Sequence, residues 1–472
     1  MSRVERAAAD GTGPVGEGVM LGERVSHPRA GPLTYAAKAL RIAFLLGALL
    51  LGGGAASLPA QELTLDQCLQ LAMARNPALA GAAARVLESE ADYAAARAPL
   101  RPALWASAYA NQLNDDRLGP SGASLPSGTS LYTREGFAGL TVRQLLYDGR
   151  RSTSARDAAS RGVAEQREGL AAGRDETVMR VTQTFYRALA AAELVRVAQD
   201  AVSREQAFES MAGALFRAGK VTRLDALKAA SAHVEAERSL LAAREGAELA
   251  VGQLALTIGL DGRTRLVPRG ALPDDLAEPP PPDDAVAAAL AQSPDLQRAA
   301  YAVERSSASL RSAHGAYRPA LALQGGYGYR ARDVGGGRPE WLLGFTVNWP
   351  LLNGGALSAQ VSQAQARLTE AEEARRALEL DIAEQVRGVL ASWRIAISDV
   401  RAAGRLVETD REALGAAEAL YGAGKATALD VLTAHSDIAR AEGARVTATA
   451  AYAVARAQLA RLTGAASGGT TQ

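Results

Sequence analysis

From Trp341 to Trp349 the chain alternates strictly. Trp341, Leu343, Phe345, Val347 and Trp349 are apolar, and Leu342, Gly344, Thr346 and Asn348 stand between them. A period of two with one apolar face predicts a β-strand that buries or shields a single side. Ala138, Leu140 and Val142 alternate with Gly139, Thr141 and Arg143 in the same way. The runs that precede these segments, 104–111 and 321–329, are predicted to pair with them as hairpins. The hairpin tips fall at 115–128 and 332–339, which are rich in Gly, Pro, Ser and Asp. Trp105, Trp341 and Trp349, three of the four tryptophans, belong to these hairpins.

After each hairpin the period lengthens. Val178, Val181, Phe185, Ala188, Ala192, Val195 and Val202 recur at spacings of three, four and seven, and Val386, Trp393, Val400, Val407 and Leu414 recur every seven residues. This is the seam of a coiled coil. No proline interrupts the stretch between Pro126 and Pro268. A helix from 149 to about 213 follows, roughly 100 Å long, or three bilayer cores end to end. Charged residues fill its other faces, so it is not a membrane helix. Each long helix ends at a glycine, Gly219 or Gly424, in the C-cap pattern. Thr222 and Thr427 are placed to cap a returning helix, with Asp225 and Asp430 favourable to its dipole. Before the hairpins, Thr64 with Gln67 reads as a capping box, and Asn76-Pro77 and Ser293-Pro294 read as N-caps with proline at the first helical position. These helices run about six turns until Pro99 and Pro102, or Pro319, stops them.

The two sets of elements are one unit written twice. Asn76-Pro77-Ala78-Leu79 recurs as Ser293-Pro294-Asp295-Leu296, and Arg101-Pro102-Ala103-Leu104 as Arg318-Pro319-Ala320-Leu321, both 217 residues on. Leu146-Tyr147-Asp148-Gly149 matches Leu351-Leu352-Asn353-Gly354, and the ten residues from Ala218 match those from Ala423, now 205 residues on. The offset changes once, between Leu104 and Leu146, so copy one carries twelve extra residues in that interval. Length changes concentrate in exposed loops, which places a loop tip there. The organisation that follows is a signal-peptide region over 1–60, repeat one over 61–266, a Pro-rich linker over 267–282, repeat two over 283–464 and a tail over 465–472. The signal reading rests on Arg41, the apolar run 42–51 and the small residues leading to Ala60.

Composition narrows the function. A chain of 472 residues with 5% aromatics and abundant Ala and Arg favours long helices with thin seams over a thick core. A net charge of +1 gives no reason to expect nucleic acid as a partner. The lone Cys68 allows no disulfide within one chain, and His27, His233, His314 and His435 are scattered without metal-ligand spacing. Gly422-Ala423-Gly424-Lys425-Ala426-Thr427 only faintly resembles a phosphate loop, with Ala426 where a magnesium-binding hydroxyl belongs. No nucleophile elbow, zinc motif or dinucleotide fingerprint is present, so no enzyme activity and no cofactor is expected.

The helical tips have a basic lip, Arg217, Lys220, Arg223 and Lys425, and with Lys228 these hold every lysine beyond the signal region. The apolar strand residues Leu140, Val142, Trp341, Leu343, Phe345, Val347 and Trp349 are expected to face lipid. Four strands per chain cannot close a barrel, and open edges are not tolerated in a bilayer. Two or three protomers would have to pool eight or twelve strands. A periplasmic coiled-coil scaffold without channel activity would explain the helices but not the one-sided hairpins.

These features together resemble the TolC-like outer-membrane efflux proteins. The carriers are the duplication, the helix starts at Asn76 and Ser293, the strand-to-helix junctions at Asp148-Gly149 and Asn353-Gly354, and the tip pattern from Phe216 to Leu227 and Tyr421 to Leu432. The resemblance spans Leu63 to Gly464. It implies a mostly α fold with a small β part: duplicated helical hairpins forming a coiled-coil tunnel, and four transmembrane strands per protomer. In a homotrimer these make a twelve-stranded β-barrel in the outer membrane continued by an α-barrel in the periplasm. It also implies docking to a periplasmic adaptor (membrane fusion) protein and an inner-membrane RND or ABC transporter, with export of drugs, metal ions or, in type I secretion, proteins. By position the docking tips are Arg217, Gly219, Lys220, Thr222 and Asp225, with Tyr421, Gly424, Lys425, Thr427 and Asp430. Glu408 and Asp410 stand where an acidic periplasmic gate is expected.

Overall fold

The computed structural model describes residues 61–114, 132–332 and 337–463. The signal region, the 115–128 tip and the 465–472 tail lie outside them. Each repeat opens with two helices, α1 (Leu65–Arg75) and α2 (Pro77–Arg97) in copy one, α5 (Pro282–Gln292) and α6 (Pro294–Gly315) in copy two. The sequence signals account for their starts. The Thr64 hydroxyl accepts from the Gln67 N–H while the Gln67 side chain accepts from the Thr64 N–H. Asn76 and Ser293 cap the N-termini of α2 and α6, each followed by proline at the first helical position. The strands are β2 (Ala103–Asn114) and β3 (Tyr132–Tyr147), then β5 (Ala320–Arg332) and β6 (Gly337–Asn348). The long helices α3 (Arg151–Arg217) and α7 (Ala356–Gly422) have 67 residues each. The returning helices α4 (Arg223–Thr257) and α8 (Ala428–Leu462) have 35 each. Equal lengths in both copies are what the unbroken 205-residue offset requires.

The four long strands form one antiparallel sheet in the order β2-β3-β5-β6, so the second hairpin pairs directly with the first. The strands reach further towards the tips than the composition indicated. Arg332 ends β5, and Gly337 to Pro339 lie within β6, which shortens the loop expected at 332–339. Pro339 lies third in β6, at the tip end of the strand, where the ladder is just beginning. A bulge between Leu145 and Tyr147 breaks the ladder just before β3 passes into α3.

Two features escaped the sequence pattern. A short parallel sheet joins β1 (Gln61–Leu63) to β4 (Leu266–Pro268). The Pro-rich linker is also pinned rather than free. The Ala277 N–H donates to the Tyr452 hydroxyl at 2.9 Å, the Trp393 indole donates to the Ala277 carbonyl at 3.1 Å, and Glu278 pairs with Arg401 at 2.7 Å.

The core is a series of seams. Cys68, Val181, Phe185, Leu254 and Ile258 fill one between α1, α3 and α4. Ala289, Val386, Leu390, Trp393 and Tyr452 fill its counterpart between α5, α7 and α8. Burial pushes the Cys68 thiol up to about 11. In α7 the seven-residue repeat holds: Val386, Trp393, Val407 and Leu414 are buried, Val400 is half-buried, and Tyr421 extends the series. In α3 it fails at Ala192, which is exposed; Val178 and Val195 are half-buried, and Leu189, Ala190 and Val197 are buried beside the expected seam. The reason is that α3 packs against α1, α2, α4, α6 and α8, so its buried face is broader than a coiled-coil stripe.

Candidate functional site

The sheet has two unlike faces. Leu104 pairs with Val142 and Ala106 with Leu140; Val142 pairs with Gly325, which pairs with Leu343; Leu140 pairs with Tyr327, which pairs with Trp341. Residues directly opposite share a face. One face therefore carries Leu104, Leu140, Val142, Tyr327, Trp341, Leu343, Phe345 and Val347, all exposed in the protomer. Trp349 lies one residue past β6, and its indole N–H donates to the Tyr317 carbonyl at 3.1 Å. The opposite face is more polar. Tyr109 stacks on Phe137 with ring centroids 5.8 Å apart, Arg330 lies over Phe137, and Arg330 pairs with Glu340. Gly139 and Gly328 are paired beneath the Phe137 ring, and a Cβ on either would come within 2.6 Å of it. The outer edges of β2 and β6 have no strand partner among the described residues. No helix among the described residues is long and apolar enough to cross a membrane.

The helical tips are two copies of one turn. Gly219 and Gly424 both have φ +72, the left-handed conformation in which glycine is favoured. The Gly219 N–H donates to the Phe216 carbonyl and the Lys220 N–H to the Leu215 carbonyl, both at 2.9 Å; Gly424 and Lys425 repeat this on Tyr421 and Leu420. This is the Schellman closure. The returning helices start in full capping boxes, more than the dipole effect expected from the sequence. The Thr222 N–H donates to Asp225 at 3.0 Å and the Asp225 N–H to the Thr222 hydroxyl at 3.2 Å, with the same pattern at Thr427 and Asp430. Those bonds to Thr427, backbone first, hold the Asp430 carboxyl below its ordinary value. Arg217, Gly219, Lys220, Thr222, Gly424, Lys425, Thr427 and Asp430 are all exposed or partly exposed, and Asp225 is half-buried. Tyr421 departs from this set. Its side chain is 2% exposed and packs on Phe208 with ring centroids 5.1 Å apart, so it supports the tip from within.

Behind the tips lies a charged layer that the scattered histidines did not reveal. His435 on α8 is buried; its Nδ1 lies 3.0 Å from Glu205 Oε1 on α3 and its Nε2 3.2 Å from Glu418 Oε1 on α7. Farther from the tip, Glu442 sits between Arg204 at 3.6 Å and Arg411 at 3.5 Å. The signal was present: His435 falls between Val431 and Ile438 on the buried stripe of α8. Glu408 is exposed and Asp410 half-buried, and neither forms an ion pair among the described residues. Among the described residues, no group of three or more His, Cys, Asp or Glu is placed to hold a metal ion.

A one-faced sheet with open edges, running into helical hairpins of equal length, defines the protomer of an outer-membrane channel with a periplasmic helical part. The model of the outer membrane efflux protein family matches residues 68–260 and 285–465, one match per repeat, and the chain belongs to that family. It is the outer-membrane channel component of an efflux system. The outer membrane efflux protein BepC of Brucella suis biovar 1 is 30% identical over 359 residues, covering 71% of this chain and 73% of that protein. Outer membrane protein OprJ of Pseudomonas aeruginosa is 26% identical over 378 residues, covering 76% and 75%. The CmeC outer membrane channel of Campylobacter jejuni superposes with a TM-score of 0.76 at 17% identity, over 85% of each chain. The outer membrane protein VceC of Vibrio cholerae gives 0.74 at 19% identity, over 85% of this chain and 96% of that one.

Proposed function

We propose that three copies of this chain close a twelve-stranded barrel continued by a helical tunnel, and that this duct exports small molecules handed over by a periplasmic adaptor and an inner-membrane RND or ABC transporter. The observation that carries the reading is the sheet. Its apolar face, from Leu140 and Val142 to Trp341, Leu343, Phe345 and Val347, is exposed in the protomer, while the edges of β2 and β6 are unpaired among the described residues. In lipid an unpaired edge leaves backbone groups without partners, so the edges must meet other copies.

The duplication suggests how they meet. Within one chain β3 pairs with β5 and α3 packs on α6 and α8, all contacts between the two repeats. Copying these contacts onto the next protomer joins β6 to its β2, and α7 to its α2 and α4. Trp349 then sits at the membrane boundary, and the tips at the far end carry Lys220 and Lys425 towards the adaptor. Glu408 and Asp410, about 21 and 18 Å up α7 from its end at 1.5 Å per residue, are proposed to face the tunnel near its periplasmic mouth.

Small molecules are favoured over secreted proteins as cargo by the names of two relatives. BepC is an outer membrane efflux protein, and OpmQ of Pseudomonas putida, 27% identical over 381 residues, is a pyoverdine export protein. A scaffold without a channel would leave the apolar sheet face without a purpose. Single-particle imaging of the detergent-purified protein tests the assembly. A threefold tapered tube well over about 100 Å long is expected, and a compact monomer would refute it.

A further inference from the structure

Where β3 runs into α3, a cavity of about 620 Å³ opens between the end of the sheet, the start of α3 and the end of α6. Its volume is in the range of small-ligand sites. Its wall is basic: Arg150, Arg156, Arg311, His314 and Arg318, against the carboxylates of Asp148 and Asp157. Both carboxylates are already engaged. Asp148 accepts from the Ser152 N–H at 2.8 Å, capping α3, and Asp157 is bonded to Arg156 at 2.6 Å. Deeper along the same α3–α6 seam, arginines meet carboxylates, Arg161 with Glu304 at 3.0 Å and Arg305 with Glu165 at 2.8 Å. At the cavity that pattern stops. Arg150, Arg311 and Arg318 form no ion pair among the described residues, and all three are exposed.

Two independent features separate this cluster from a solvated helix end. The first is backbone strain. Arg150 has φ 71 and is the one described non-glycine residue at positive φ. Its counterpart in copy two is Gly355, at φ 85, which adopts the same conformation without penalty. Keeping an arginine there works against stability, and such outliers point towards function. The second is asymmetry between the repeats. Arg156 corresponds to Val361 and Arg311 to Ala94, so the equivalent junction folds without these charges.

We propose that this cavity is a binding site for a phosphate-bearing anion, with Arg150, Arg311 and Arg318 as its main contacts. Guanidinium groups match phosphate oxygens in bidentate geometry. The site lies at the periplasmic end of the strands, beside the exposed Leu146 and Tyr147, the level of the head groups in the inner leaflet. An anionic phospholipid head group is therefore one source, and a soluble phosphate the other. The lipid source rests on the membrane reading given above; the soluble source does not.

Copy two supplies the test variant, because Arg150→Gly and Arg311→Ala install residues with which the sister junction already folds. The full chain in detergent micelles is titrated with short-chain phosphatidylglycerol and, separately, with inorganic phosphate, and threefold assembly is checked by imaging in both proteins. Losing two charge-assisted contacts is expected to weaken binding by roughly tenfold or more. If phosphatidylglycerol binding shows that loss, the ligand is a lipid head group; if only phosphate binding shows it, the ligand is soluble. Equal binding of both probes to the wild type and the double variant, or no binding of either probe, overturns the site. Such a result in a protein that still images as a trimer leaves the channel reading standing.

Discussion

His435 Nδ1 lies 3.0 Å from Glu205 Oε1, a buried contact that ties the returning helix of copy two to the long helix of copy one. Glu418 closes the other side of the imidazole at 3.2 Å, so three helices meet on one ring near the tips. Burial opposes charge on the ring, but the hydrogen bonds and fields of Glu205 and then Glu418 outweigh it and raise the His435 pKa above its ordinary 6.5. A raised value means that the folded state favours the imidazolium. Its contribution to stability is complete below 6.5 and is lost as pH rises through the raised value. Protection of the tip amides, corrected for the intrinsic pH dependence of exchange, should therefore fall as pH rises above 6.5. His435→Phe should remove that dependence and lower stability throughout, because it leaves Glu205 buried without its partner. An unchanged pH profile in the variant would show that the triad does not govern the tip.

The glycines at positive φ separate backbone strain from crowding. A Cβ added at Gly219 or Gly424 would meet nothing within 4 Å, so Gly219→Ala incurs only the left-handed penalty, about 1 kcal/mol. Gly259 shares that conformation, but a Cβ there would lie 2.6 Å from the Arg75 carbonyl oxygen, backbone that cannot move aside cheaply. Gly259→Ala should destabilise the chain clearly more than Gly219→Ala when thermal unfolding of the two is compared.

The linker gives a third expectation. Tyr452 is fully buried, and its hydroxyl accepts from the Ala277 N–H. Tyr452→Phe keeps the ring packed against Trp393 and removes one bond, at a cost of about 1–2 kcal/mol. Leu390→Ala, at a position 1% exposed in the same cluster, should cost about 2–5 kcal/mol through the cavity it leaves. Denaturant unfolding would rank the two. A linker that merely spans the repeats would leave Tyr452→Phe neutral.

Much of this architecture is legible because it is periodic and written twice. Trp341 to Trp349 alternates with one apolar face, and Val386 to Leu414 repeats every seven residues, and both patterns survive in the structure. Where a helix has several neighbours the pattern blurs, as at Ala192 of α3, because different faces are buried along its length. Position alone assigns Tyr421 to the tip surface; its seven-residue spacing from Leu414 marks it instead as a core residue, and the structure buries it. The His435 triad draws one residue from each of three helices, and Arg150 is strained only through its φ of 71; neither relation lies along the sequence.

The tips carry the last prediction. Lys220 and Lys425 are exposed, and each contributes its backbone N–H to the closure of its turn. Reversing either charge leaves those bonds intact and costs about 0.3–1 kcal/mol, since a cation suits a helix C-terminus. Lys220→Glu and Lys425→Glu should therefore assemble as the wild type does. If the basic lip meets an adaptor, each should still weaken efflux, measured as drug accumulation in cells that depend on this chain, and the double variant should weaken it further. Electrostatic contacts at an exposed rim act mainly on association and are screened by salt. Binding of the purified adaptor to the wild type should fall with ionic strength, and that dependence should be shallower in the double variant. Full efflux in both single variants and in the double variant would assign adaptor contact to the uncharged surface of the tips.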